Sequence, residues 1–330
     1  MEFVILIVIF GLLFDYTNGF HDAANVVSTV IATRVLAPVS AIVMAGVLNF
    51  IGATQISGVA KTIATGLINS QEATQIVVLA AVVGAIAWNI VTWYYGIPSS
   101  SSYALIGGLL GSAWANQGPQ TILWSGIVYK VVIPMVLSPI IGFGLSYCLM
   151  KLLQIYFTKN THSEKRQIFR HLQIGSACFV ALSHGLNDAQ KSMGLITLGL
   201  FTAGVLTTPT IPLWVILSCA IVMGLGTASG GLRIIKTMGF AITKIDPMQG
   251  FAAETSASAI ILAASFLGMP VSSTQMIAGS ITGVGSAKGI AAVRWETPQK
   301  LVVAWVLTLP AAGIVGYITC FTISTIFGAQ

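Results

Sequence analysis

The sequence predicts an all-α polytopic membrane protein built from two repeats, with broken helices or helical hairpins at the midplane. Three observations predict it. Hydrophobic residues fill 55% of the 330 positions and charged residues only 7%, whereas a soluble domain carries roughly 25% charged residues. Charge-free apolar windows reach the about 20 helical residues that a hydrocarbon core requires. Two patterns also recur half a chain apart at similar spacing. Gly19-Phe20-His21-Asp22-Ala23-Ala24-Asn25 is echoed by Gly185-Leu186-Asn187-Asp188-Ala189-Gln190-Lys191, and Gly96-Ile97-Pro98-Ser99-Ser100-Ser101-Ser102 by Gly268-Met269-Pro270-Val271-Ser272-Ser273-Thr274.

In chain order, residues 3–14 read as an apolar helix interrupted around 15–19. It resumes over 21–33 and is ended by Arg34 and Pro38, a broken helix with polar groups at its break. The run lacks a basic leader and a small-residue cleavage site, so it reads as a mature helix. Apolar segments follow at 40–60, 76–95 and 101–114, then a long one at 121–150. The polar segment after it carries Lys151, Lys159, Lys165, Arg166 and Arg170. By the positive-inside rule it faces the cytoplasm, which accounts for the basic balance without nucleic acid. The chain therefore divides into a first transmembrane repeat at 1–150, a basic cytoplasmic linker at 151–171 and a second repeat at 172–330. The second half repeats the plan from 174 onward, with a charge-free stretch at 192–232 long enough for two crossings and a last apolar run from 301 to the end. An inverted pair with the linker inside leaves both termini outside. Whether the serine-bearing segments cross or dip back is open at this level.

Cys148, Cys178, Cys219 and Cys320 lie in apolar runs without metal-ligand spacing and read as small buried hydrophobes. Glycines at 107, 108 and 111 and at 279, 283 and 285 read as close-packing positions between helices.

The chemistry rests on the duplicated polar groups. A carboxylate in the middle of a membrane helix costs roughly 2.5 to 3.5 kcal/mol on insertion scales, so Asp22 and Asp188 point to function. With Asn25 and Asn187 they offer hard oxygens suited to a proton or to Na⁺, in which case Asp22 and Asp188 are the metal ligands. The serine blocks suit an anion. Proline breaks a helix and frees backbone N–H groups, and the next helix starts with its positive dipole end exposed. Ser100, Ser101 and Ser102 in one block, and Ser272, Ser273 and Thr274 in the other, add hydroxyl donors for a tetrahedral oxyanion. The same serines could serve only as helix caps. Broken helices in corresponding places of two repeats are the pattern of a secondary transporter.

These motifs, together with His184 ahead of Gly185 and the run Gly250-Phe251-Ala252-Ala253-Glu254, resemble those of the inorganic phosphate transporter (Pit) family, bacterial low-affinity branch, over all but the short linker. The resemblance implies symport of inorganic phosphate, free or metal-complexed, with H⁺ or Na⁺ and with no other cofactor, through inverted repeats in a bacterial inner membrane. It carries cation roles onto Asp22, Asn25, Asn187, Asp188 and Glu254 and phosphate roles onto the serine blocks. Asn49 stands where some relatives have a second acid. Lys191 occupies the place of Asn25 in the second repeat, where it can neutralise Asp188 or hold phosphate, and this favours proton over sodium coupling. His21 and His184 flank the acids and read first as hydrogen-bonded packing residues, then as a proton relay. Lys61-Thr62 resembles Lys236-Thr237, with the lysines snorkelling to the surface. Membrane lipid is the other partner, and homo-oligomerisation is open. The competing readings are a sulfate or other oxyanion symporter or channel and, more remotely, an intramembrane aspartyl protease.

Overall fold

The computed structural model describes residues 2–327, and the first residue and the last three, including the end of the run from 301, lie outside the described residues. The first half runs α1 (Glu2–Ala32), α2 (Pro38–Ala53), α3 (Gly58–Thr65), α4 (Gln75–Tyr95), α5 (Ser101–Gln117) and α6 (Trp124–Ile127). A π turn at Val128–Val132 leads into α7 (Ile133–Tyr156). The second half follows the same plan as α8 (His162–Thr202), α9 (Leu213–Ser229), α10 (Leu232–Lys236) with a π turn of its own at Thr237–Ala241, α11 (Pro247–Phe266), α12 (Ser273–Lys288) and a single helix α13 (Glu296–Phe327) in the place of α6 and α7. Minor features recur as well. A 3-10 turn follows α5 and another follows α12, and isolated bridges pair Ile68 with Ile122 and Thr243 with Val293.

The counterpart helices α1 and α8 run antiparallel. Ile7 packs on Gly199, Gly11 on Ile196, Asp15 bonds to Ser192, and Asp22 lies beside His184. Opposite direction of matching elements makes the repeats inverted. The halves are interlocked: α1 packs on α9 as α8 packs on α2, and α5 packs on α13 as α12 packs on α7. The chain is an integral membrane protein, with helices Glu2–Ala32, Gln75–Tyr95, Trp124–Tyr156 and Glu296–Ile326 each long and apolar enough to cross. Most of the basic segment is the end of α7 and the start of α8, the latter closed by a capping box between Thr161 and Glu164.

The break expected at 15–19 is absent: α1 and α8 run unbroken through both acid motifs. Polarity alone does not end a helix. No proline stands there, and the Thr17 hydroxyl bonds back to Phe14 O at 2.9 Å, a bond a helix tolerates. The chain breaks instead where glycine and proline coincide. Gly96 and Gly268 close α4 and α11 in the left-handed region, at φ 66° and 65°, where a side chain is disfavoured, and Pro98 and Pro270 follow two residues later. Beyond each break the chain doubles back, with α5 against α4 and α12 against α11. These are helical hairpins, and their tips are buried against the middle of α1 and α8. The segment expected as one stretch at 40–60 is bent by 69° between α2 and α3. The side chains of Thr54 and Gln55 take the Ile51 carbonyl at 2.9 and 3.1 Å and so close α2 without proline.

Candidate functional site

The acids of the two repeats meet at the centre. Because α1 and α8 cross in opposite directions at their signature motifs, carboxylate oxygens of Asp22 and Asp188 and a ring nitrogen of His184 lie within 4.8 Å of one another, all buried. Glycine in each motif permits close packing against a further helix of the opposite repeat. A Cβ on Gly185 would sit 2.2 Å from the Asn49 carbonyl oxygen of α2, and one on Gly19 would sit 2.8 Å from that of Met223 in α9. The first glycine of each motif thus seats its helix on the other repeat.

Each acid has a histidine beside it. His21 Nδ1 lies 2.7 Å from Asp22 Oδ1, and its Nε2 faces Thr92 Oγ1 at 3.2 Å and Ser99 Oγ at 3.4 Å. His184 Nε2 lies 3.0 Å from Asp188 Oδ2 without hydrogen-bond alignment, while its Nδ1 meets Asn49 Oδ1 at 3.0 Å. Lys191 donates to the other oxygen of Asp188. Asp188 thus has an ammonium of the protein itself as a partner, whereas Asp22 meets His21 and the Thr274 hydroxyl.

The hairpin tips complete the site. Asn25 Nδ2 donates to Thr274 Oγ1 at 2.8 Å and to Ser273 Oγ at 3.3 Å, and Thr274 donates to Asp22 Oδ1 at 3.4 Å. At the matching position Lys191 donates to Ser102, the counterpart of Thr274, and to Val271 O at 3.1 Å. Each repeat thus reaches into the serine block of the other. Ser100 and Ser272 act as N-caps of α5 and α12, their hydroxyls each accepting a backbone N–H at 3.3 Å. Ser101 Oγ is fully buried with no hydrogen-bond partner among the described residues, which leaves a donor free beside the N-terminus of α5. Asp22, Asp188, Lys191 and both serine blocks are at most 2% exposed, so the site is closed from both sides. Apolar grooves of about 440 and 550 Å³ lie elsewhere, between the outer faces of α7, α12 and α13 and of α5, α6 and α13.

Two of the expected residues lie apart. Asn187 ties α8 to the second hairpin through Ser265 Oγ at 2.7 Å and Met269 O at 3.3 Å, with its own carbonyl oxygen unpartnered among the described residues. Glu254 forms a separate cluster, accepting from Thr29 Oγ1 at 2.5 Å, Gln173 Nε2 at 3.0 Å and the Ser176 hydroxyl. Asn49 is not its counterpart. It lies on α2 and Glu254 on α11, which hold different places in the two repeats, and superposing the serine blocks sets Val82 opposite Glu254. Asn49 instead donates to Thr227 at 2.9 Å while holding His184.

Sequence reasoning missed several supports. Gln190 caps the short helix α3, its Oε1 accepting from Val59 N at 2.8 Å and Ala60 N at 3.1 Å. The Lys-Thr resemblance has a structural use. Thr62 donates to Gly268 O at 2.7 Å and Thr237 to Gly96 O at 3.1 Å, so each latches the break of the other repeat.

Comparison with known proteins shows what the chain is similar to. A family model described as "Phosphate transporter family" matches residues 18–316. A probable low-affinity inorganic phosphate transporter of Bacillus subtilis is 44% identical over 326 residues, covering 98% of each chain. One of Rhizobium meliloti is 46% identical over 94% of this chain and 93% of its own, and one of Mycobacterium tuberculosis is 47% identical over 96% and 76%. A solved structure called "The sodium-dependent phosphate transporter" shares the fold at a TM-score of 0.91 and 24% identity, covering 99% of this chain and 100% of that one.

Proposed function

The chain belongs to the phosphate transporter family, and on that premise we propose that it imports inorganic phosphate across the bacterial plasma membrane, coupled to protons, by alternating access. It is a transporter and not an enzyme. The observation that carries the reading is the pair of reciprocal contacts, Asn25 to Thr274 and Lys191 to Ser102, which join each acid motif to the opposite hairpin tip. A change of charge at the acids then acts on the groups that face phosphate.

In this reading the first-turn N–H groups of α5 and α12, with the Ser101 hydroxyl and Lys191, hold phosphate without a full set of counter-charges. Lys191 also serves Asp188, so the second repeat carries its cation permanently. Asp22, with His21 and Asn25, takes the mobile one. Carrying a dianion inward against about −100 mV costs about 4.6 kcal/mol, at roughly 2.3 per charge, so more than one cation accompanies it, and Glu254 is the candidate for another proton. The basic segment at the α7–α8 junction faces the cytoplasm. Loading and release need the buried site to open, which the hairpins and the bends at α3 and α10 allow by moving against α1 and α8.

The test is uptake of radiolabelled phosphate by the purified protein in liposomes. Asp22→Asn together with Asp188→Asn abolishes it, and excess unlabelled phosphate competes where sulfate does not. Uptake that survives the double substitution, or equal competition by sulfate, overturns the assignment.

A further inference from the structure

Helix α1 carries a buried polar stripe that the central site does not use up. Asp15, Asn18, Asp22, Asn25 and Thr29 follow one another at three- and four-residue steps and so share one face, and all are at most 2% exposed. Asp22 and Asn25 belong to the centre, and Thr29 belongs to the Glu254 cluster. Asp15 and Asn18 belong to neither. Asp15 Oδ1 accepts from Ser192 Oγ at 2.8 Å, but Oδ2 has no hydrogen-bond partner among the described residues, and neither do Oδ1 and Nδ2 of Asn18.

A second orphan faces them. Gly199 lies against both Ile7 of α1 and Val78 of α4, and His21 meets Thr92, so the two helices run parallel in one register. That register sets Asn18 beside Asn89, which is fully buried and whose amide is again unpartnered at both atoms among the described residues. An unsatisfied buried polar group costs about 1–3 kcal/mol, so such a seam selects an occupant. A metal cation would satisfy the three oxygens and strand both amide NH₂ groups, whereas water donates to the first and accepts from the second. The fold does not demand this polarity. The counterparts of Asp15, Asn89 and Thr92 in the second repeat are Ala181, Ile261 and Ala264. Of the ionisable groups near Asp15, Lys191 comes from α8 and Cys219 from α9, His21 and Asp22 lie farther along α1, and α4 presents none at this level.

We propose that Asp15 is a proton-binding site on the outer side of the transporter, joined by a water-bearing seam between Asn18 and Asn89 to the His21–Asp22 pair. The proposal rests on the proton-symport reading above and on a cytoplasmic linker. Helix α8 starts at that linker and α1 runs opposite to it, which puts Asp15 outward of Asp22 by roughly 10 Å along the helix. Asp15 Oδ2 takes a proton from hydronium and releases water. The acid returns to carboxylate as seam water takes the proton, as hydronium, on toward the centre.

Two measurements on full-length protein in liposomes test this. One is phosphate accumulation driven by an imposed pH gradient. The other is phosphate counterflow at equal pH, which needs no net proton movement. Asp15→Asn and Asn89→Ile each lower the first at least about tenfold and leave the second within about twofold, and Asp15→Glu restores part of the loss. A parallel fall in both measurements assigns Asp15 a structural or substrate role and overturns the proposal, as does no change in either. If Asp15→Asn does not fold, Asn89→Ile, which copies the apolar counterpart, decides by the same outcomes. Wild-type accumulation that follows a Na⁺ gradient and ignores pH refutes the proton-symport reading itself, and that result is seen before any variant is made.

Discussion

The same contact is built twice at the centre, once with an amide and once with an ammonium. Asn25 in the first repeat and Lys191 in the second both reach the third hydroxyl of the opposite serine block. The lysine gives Asp188 an ammonium partner within the protein, and the amide gives Asp22 none. In the function proposed above, this one difference divides the labour between a mobile and a permanent cation.

Breaking the permanent pair has the largest expected effect. Asp188→Asn strands a buried ammonium, which costs about 3–5 kcal/mol, so folded yield and thermal stability in detergent fall together with uptake. Adding Lys191→Met restores folding without restoring transport. Asp22→Asn strands no charge, and it abolishes phosphate uptake while melting close to wild type. The next effect comes from restoring the symmetry. Lys191→Asn gives the second repeat the side chains of the first, so proton-driven uptake falls on the order of tenfold, about 1.4 kcal/mol, and added Na⁺ recovers part of it by occupying the site at Asp188. A smaller effect separates the two seats. Gly185→Ala, whose Cβ would lie 2.2 Å from a carbonyl oxygen, destabilises more than Gly19→Ala at 2.8 Å, within the about 1–3 kcal/mol of overpacking. The smallest effect is in the latches. Thr62→Val and Thr237→Val each lose about 1 kcal/mol of stability, with the shorter Thr62 bond the costlier to remove.

The repeats, the paired acids and the serine breaks were legible because each is a local pattern whose cause is local. Pro98 and Pro270 with their preceding glycines announce a chain reversal whatever surrounds them. Across 15–19, Asp15 and Asn18 look like a break in an apolar run, although neither residue interrupts a helix. Their spacing with Asp22, Asn25 and Thr29 was the available signal for a polar face turned inward. The α2–α3 bend carries no proline, and its stabilisers are Thr54, Gln55 and the distant Gln190. Glu254 shows the limit in the other direction. Its partners Gln173, Ser176 and Thr29 come from two other helices, and no spacing along the chain brings them together.

The division between Asp22 and the Lys191-bound Asp188 is tested most directly by phosphate uptake into liposomes with the proton and sodium gradients imposed one at a time. An inward proton gradient alone drives accumulation and an inward Na⁺ gradient at equal pH does not. Accumulation driven by Na⁺ alone, with no response to the pH gradient, would contradict it.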